Sequence, residues 1–104
     1  MVDEVAWDDE DRGARRKFLA RGEGGFHSQY SELPPDYTIP PHSHDRDELI
    51  VMLAGSCTLL DGAQTLHARD SMVLTAGDEY GFTAGPDGMA FLTIRTAPAA
   101  VTFS

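Results

Sequence analysis

The chain has 104 residues, enough for one hydrophobic core and too few for two. Asp and Glu outnumber Lys and Arg by 17 to 8, and the resulting net charge of −9 argues against nucleic acid or an anionic membrane as partner. No apolar stretch approaches the ~20 residues of a membrane span, there is no signal-peptide-like apolar region, and the single Cys57 permits no internal disulfide, so the expected compartment is a reducing cytoplasm.

Residues 1–24 read as an N-terminal arm, partly ordered. Asp3, Glu4, Asp8, Asp9, Glu10 and Asp11 precede the basic Arg12, Arg15, Arg16, Lys17 and Arg21, and Val5-Ala6-Trp7 is the only apolar patch. Such a run buries too little to order itself, so a solvated leader is expected, with docking of Trp7 on the following domain as the alternative. From residue 25 to 104 the chain reads as short strands and turns. Phe26 to Leu33 alternates, Pro34-Pro35-Asp36 turns, and Tyr37-Thr38-Ile39 leads onward. Leu49 to Leu53 is continuously apolar, as in a strand covered on both faces. Ser56–Leu60 and Ala63–His67 flank Asp61-Gly62, a two-residue hairpin signal of type I′. Met72–Thr75, Tyr80–Thr83 and Met89–Thr96 follow, with Gly85-Pro86-Asp87-Gly88 expected as a turn between the last two. No segment past Phe18 has helical apolar spacing with caps. The fold class is therefore all-β, and many short strands at even spacing suggest a jelly-roll barrel.

The segment His42-Ser43-His44-Asp45-Arg46-Asp47-Glu48 carries the chemistry. Side chains two apart on a strand point to one face, so His42 and His44 can grip one ion from the same side. Glu48 opens the next strand and can return as a third ligand. Two imidazoles and a carboxylate with open positions suit a first-row divalent metal, and Pro40-Pro41 fits a strand edge opening onto a site.

The pattern Pro41-His42-x-His44-x3-Glu48-x6-Gly55 resembles the first motif of the cupin superfamily. The stretch Arg69 to Tyr80 occupies the place of the second. There Asp70 and Gly77 match, while Arg69, Thr75 and Tyr80 replace the usual Gly, Pro and last metal-binding His. The resemblance spans residues 25 to 97 and implies a small single-domain cupin, a double-stranded β-helix. It implies a metal (Fe, Mn, Ni, Cu or Zn) held by His42, His44 and Glu48. It also implies a homodimer formed through a sheet face. Tyr80 then lines the pocket as a proton donor or hydrogen-bond partner for substrate, or ligates the metal as a phenolate.

In such a barrel inward residues alternate. Ile50, Met52, Tyr80 and Phe82 are then the expected pocket walls, suited to a small, partly apolar ligand with oxygen donors. Leu49, Val51 and Leu53 would face outward and need cover. His67 reads as a surface residue, Cys57 as a small core residue, and Asp70 as fixing its turn. His27 is a further candidate nitrogen, and Arg95 is either exposed or a clamp for a substrate carboxylate. Asp45 and Asp47 read as solvated, or as supports for a ligand His. Two functional classes follow. One is a metal-dependent enzyme on a small molecule, of dioxygenase, isomerase or lyase type. The other is a non-catalytic small-molecule-binding or sensor protein with weak or no metal.

Overall fold

The computed structural model describes residues 7–60, 62, 64–96 and 101–103, with backbone alone at 9–11 and 101–103. Among them run β1 (Asp9–Asp11), β2 (Ala14–Arg21), β3 (His27–Leu33), β4 (Thr38–His44), β5 (Glu48–Leu59), β6 (Thr65–His67), β7 (Ser71–Leu74), β8 (Tyr80–Arg95) and β9 (Val101–Phe103). A 3₁₀ turn at Glu23–Gly25 joins β2 to β3. The strands pair antiparallel in the order β1-β2-β3-β8-β4-β9, and β5 pairs with β6, β7 and β8. The fold is all-β, a jelly-roll barrel.

Two long strands organise it. Leu49–Leu53 and Ser56–Leu60, expected as separate strands, are one strand, β5. The turn expected at Gly85–Gly88 is likewise absorbed into β8. The reason lies where the two cross. Their register shifts between Met52 and Ala54, a β-bulge, and again between Gly55 and Cys57, where residues 85–88 of β8 stand against Ser56 alone. Bulges bend a strand without ending it. Gly55 and Gly88 meet there at φ 73° and 75°. A Cβ on Gly55 would lie 2.1 Å from the Gly88 carbonyl oxygen, so the final glycine of the first motif is fixed by this close approach. The β5–β6 hairpin forms as expected, with Ser56 opposite His67; Asp61 and Ala63 lie outside the described residues.

Within the segment read as an arm, Ala14–Arg21 forms β2. β2 is paired to β3 from Arg15 to Arg21, with a bulge between Phe18 and Ala20. Its outer face is covered by Trp7, whose ring stands 5.9 Å from that of Tyr30. Arg15 and Lys17 place their cations 4.0 and 4.2 Å over the same ring. Cation–π contact and stem burial thus order a segment that has few apolar residues. Residues 1–6, with Asp3, Glu4, Val5 and Ala6, lie outside the described residues.

The core comprises Leu33, Ile50, Met52, Cys57, Leu74, Phe82, Ala84, Met89 and Phe91. Cys57 is the small core residue expected, and burial pushes its thiol pKa up, as in an inert cysteine. On the opposite face of β5, Leu49 and Leu53 are exposed, and Val73 of β7, the cross-strand partner of Leu49, is exposed too.

Candidate functional site

Strand alternation builds the site. Glu48, Ile50 and Met52 on β5 point inward, as do Gln29, Ser31 and Leu33 on β3 and Phe91, Thr93 and Arg95 on β8. The register sets Thr93 between Gln29 and Ile50, and Leu49 opposite Ile94. Glu48 and Arg95 are therefore neighbours at the ends of their strands. On the other wall β4 sets His42 opposite Tyr80. These residues surround a cavity of about 510 Å³, within the range that holds small ligands.

Glu48 lines it and is only 2 % exposed. The Tyr80 hydroxyl donates to Oε1 at 2.9 Å, and Arg95 Nε donates to Oε2 at 2.6 Å. His44 Nε2 stands 3.3 Å from the same Oε2. The His42 Nδ1–H donates to the Pro40 carbonyl at 2.9 Å. The His42 ring lies 4.4 Å from that of Tyr80 and 5.0 Å, edge to face, from that of His44, and Phe82 stacks behind Tyr80 at 6.4 Å.

The environment sets the protonation states. Burial and the adjacent Glu48 carboxylate drive the Tyr80 phenol far above its ordinary value, so beside Glu48 it is neutral and donates its proton to the carboxylate. Burial pulls His44 below its usual 6.5, and Arg95 and His42 push the same way against Glu48. Its imidazole is neutral at pH 7, and its Nδ1 is buried without a hydrogen-bond partner.

The donors of His42, His44 and Glu48 are of the kind a first-row metal takes, while Glu48 is here held by other groups. Both oxygens of Glu48 are engaged, one by a phenol and one by a guanidinium. Among the described residues no three His, Cys, Asp or Glu side chains are grouped to hold an ion. A divalent cation at Glu48 would face the charge of Arg95 across a single carboxylate. Arg95 places its charge against Oε2 of Glu48.

The remaining expectations divide. Ile50, Tyr80 and Phe82 line the cavity, whereas Met52 is fully buried in the core and forms no part of its wall. His27 is the cross-strand partner of Arg95 but lies outside the cavity lining, and His67 is exposed. Asp70 Oδ2 accepts from the His67 N–H at 2.8 Å and fixes its turn. Exposed Asp47 accepts from the Ala76 N–H at 2.8 Å. Phe91 and Thr93, which share the face of Arg95 on their strand, also line the cavity, and so do Gln29 and Ser31, which the sequence did not single out. Their signal was present in the inward parity they share with Leu33 and Arg95, but polar residues on a strand ordinarily mark its wet face.

No family model and no curated protein sequence matches the chain. Solved structures do. The polyketide cyclase RemF of Streptomyces resistomycificus is similar at TM-score 0.81 and 21% identity, over 97% of this chain and 80% of that one. An RmlC-like cupin of Shewanella frigidimarina is similar at TM-score 0.78 and 16% identity, over 91% and 86%. A chain in the complex of Rhodobacter sphaeroides SigE with the anti-sigma ChrR is similar at TM-score 0.76 and 21% identity; the likeness covers 91% of this chain but only 51% of that one. Together with the barrel topology these likenesses define the class: the chain has the cupin fold.

Proposed function

We propose that this cupin domain binds a small molecule in the barrel cavity and that Glu48, held by Tyr80 and Arg95, is the centre of its chemistry. The observation that carries this reading is a fully buried carboxylate with both oxygens bonded, facing a cavity. A buried ion pair adds little to stability over apolar packing, so its place in the cavity wall speaks for a role in binding or proton transfer. Tyr80, kept neutral, is the proton donor, and Glu48 is the acceptor once a ligand draws Tyr80 or Arg95 aside. This suits isomerase- or lyase-type steps. The similarity to a chain named as a polyketide cyclase supports small-molecule chemistry in such a barrel. A test is a ligand screen on chelator-treated, isotope-labelled protein followed by NMR. Ligands that shift Tyr80 and Arg95 support the reading. Ligands that shift only the outer face around Leu49 and Val73 contradict it.

A second reading keeps a divalent metal (Fe, Mn, Ni, Cu or Zn) on His42, His44 and Glu48. The His42 Nδ1–H bond to the Pro40 carbonyl favours it, since that bond fixes the tautomer and orientation of a metal-bound imidazole. The unpartnered Nδ1 of His44 is a further polar atom in want of a ligand. A bound ion would supply Lewis acidity and open dioxygenase chemistry to the site. It requires Arg95 to leave Glu48. A non-catalytic sensor role draws support from the similarity to a chain of the SigE–ChrR complex. Exposed Leu49, Leu53 and Val73 are the face through which a homodimer would form. A cytoplasmic setting fits the single reduced cysteine.

A further inference from the structure

From the donors left over inside the cavity we infer that its ligand is a small hydroxy acid, its carboxylate on the guanidinium of Arg95 and its hydroxyls on Gln29, Ser31 and Thr93. The inference rests on the reading of the cavity as a ligand site. Arg95 gives Nε to Glu48, and among the described residues its two Nη groups have no protein partner. A guanidinium offers five N–H donors in a planar fork that matches a carboxylate, so the outer edge of Arg95 is a preformed acid site.

The cavity's charge points the same way. The chain has eight Lys and Arg in all, and four of them, Arg12, Arg15, Arg16 and Arg95, line this one cavity against a single acid, Glu48. Arg15 is paired with Glu32 at 2.7 Å, so it contributes field more than donors. A concave, positively lined site in an acidic protein concentrates small anions.

Beside the acid site lies a polar lane. Gln29, Ser31 and Thr93 are 9 %, 5 % and 3 % exposed, yet among the described residues their side chains have no hydrogen-bond partner. Buried polar groups are normally bonded, and the surface these three retain faces the cavity. Gln29 and Thr93 are direct cross-strand partners, and Arg95 is two residues along the same strand. Two residues of strand span about 7 Å. A carboxylate on Arg95 and a hydroxyl at Thr93 and Gln29 thus belong to an acid of roughly four to six carbons. Ile50 and Phe91 supply apolar walls for its carbon chain.

The test is calorimetric titration of the full chain with matched acid and neutral probes. These are gluconate beside sorbitol, and 4-hydroxybutyrate beside 4-hydroxybutyramide, with butyrate as the acid that lacks a hydroxyl. The acids should bind at least about tenfold more tightly than their neutral partners, as expected for hydrogen bonds to a charged group. Arg95→Lys keeps a cation beside Glu48 but loses the fork, and should weaken both hydroxy acids about tenfold or more while leaving the neutral probes unchanged. Thr93→Val and Gln29→Leu should weaken 4-hydroxybutyrate and spare butyrate. Circular dichroism and urea midpoints establish that each variant is folded. Equal affinity for acids and neutral partners, or acid binding indifferent to Arg95→Lys, overturns the inference while leaving the cavity a ligand site. Failure of every probe, neutral and acid alike, overturns the inference and counts against the cavity reading as well.

Discussion

Replacing Arg95 by Met tests what neutralises Glu48. The substitution keeps an unbranched stem and removes the donor that stands 2.6 Å from Oε2, leaving a carboxylate only 2 % exposed with the Tyr80 hydroxyl as its remaining strong donor. Breaking a buried pair by removing one partner costs about 3–5 kcal/mol. Because Tyr80 stays and His44 Nε2 lies 3.3 Å away, the lower end, about 3 kcal/mol, is the expected value. For a domain of this size that is a fall in Tm of about 12–24 °C. Arg95→Met/Glu48→Gln removes the orphaned charge along with its partner and should recover about 2 kcal/mol of the loss. The assay is urea denaturation at pH 7 with chelator present, run as a double-mutant cycle. An Arg95→Met variant within about 0.5 kcal/mol of wild type, or single effects that simply add, would refute the ion pair as the element that holds Glu48.

Tyr80→Phe removes one hydrogen bond to a charged acceptor and should cost about 1.5–3 kcal/mol by the same denaturation assay; no change would mean the phenol does not reach Glu48. His44 is held below 6.5 by burial first and by Arg95 and His42, so on acidification the unfolded chain takes up this proton before the folded one does. Its contribution is therefore fully present above pH 6.5 and is lost as pH falls from there through the folded pKa. His44→Gln should flatten the fall in urea midpoint below pH 6.5, and an unchanged profile would assign that fall to other groups. Gly55→Ala adds a Cβ 2.1 Å from the Gly88 carbonyl at a backbone φ of 73°, and should abolish soluble folded protein at 37 °C; a normal yield would place the β5–β8 crossing elsewhere.

The fold was legible where local chemistry and pattern agree. The alternation of Glu48, Ile50 and Met52 and the Asp70 turn each depend on near neighbours, and the structure puts them where the sequence suggested. Long-range partners were harder. Arg95 is 47 residues from Glu48, and only the β5–β8 register brings the two together, so the sequence left it open between solvent and substrate. Met52 has the right parity for the cavity but sits one step too deep, because parity fixes a face and not a depth. β2 was hidden because cation–π contacts to Trp7, not apolar periodicity, hold it in place. The turn expected at Gly85–Gly88 is an excursion within β8 rather than a break between strands, because Gly88 meets Gly55 and pairing to β5 resumes on both sides of it.

The central claim of the proposed function is that Arg95, and not a metal ion, neutralises the Glu48 carboxylate in the cavity wall. Elemental analysis of protein purified without a His tag or chelator, beside a His42→Ala/His44→Ala variant, tests it most directly. The account predicts metal far below one equivalent in both proteins, with the Glu48–Arg95 coupling intact in chelator. Near-stoichiometric Fe, Mn, Ni, Cu or Zn in the wild type that is lost in the variant would contradict it and establish His42, His44 and Glu48 as a metal centre.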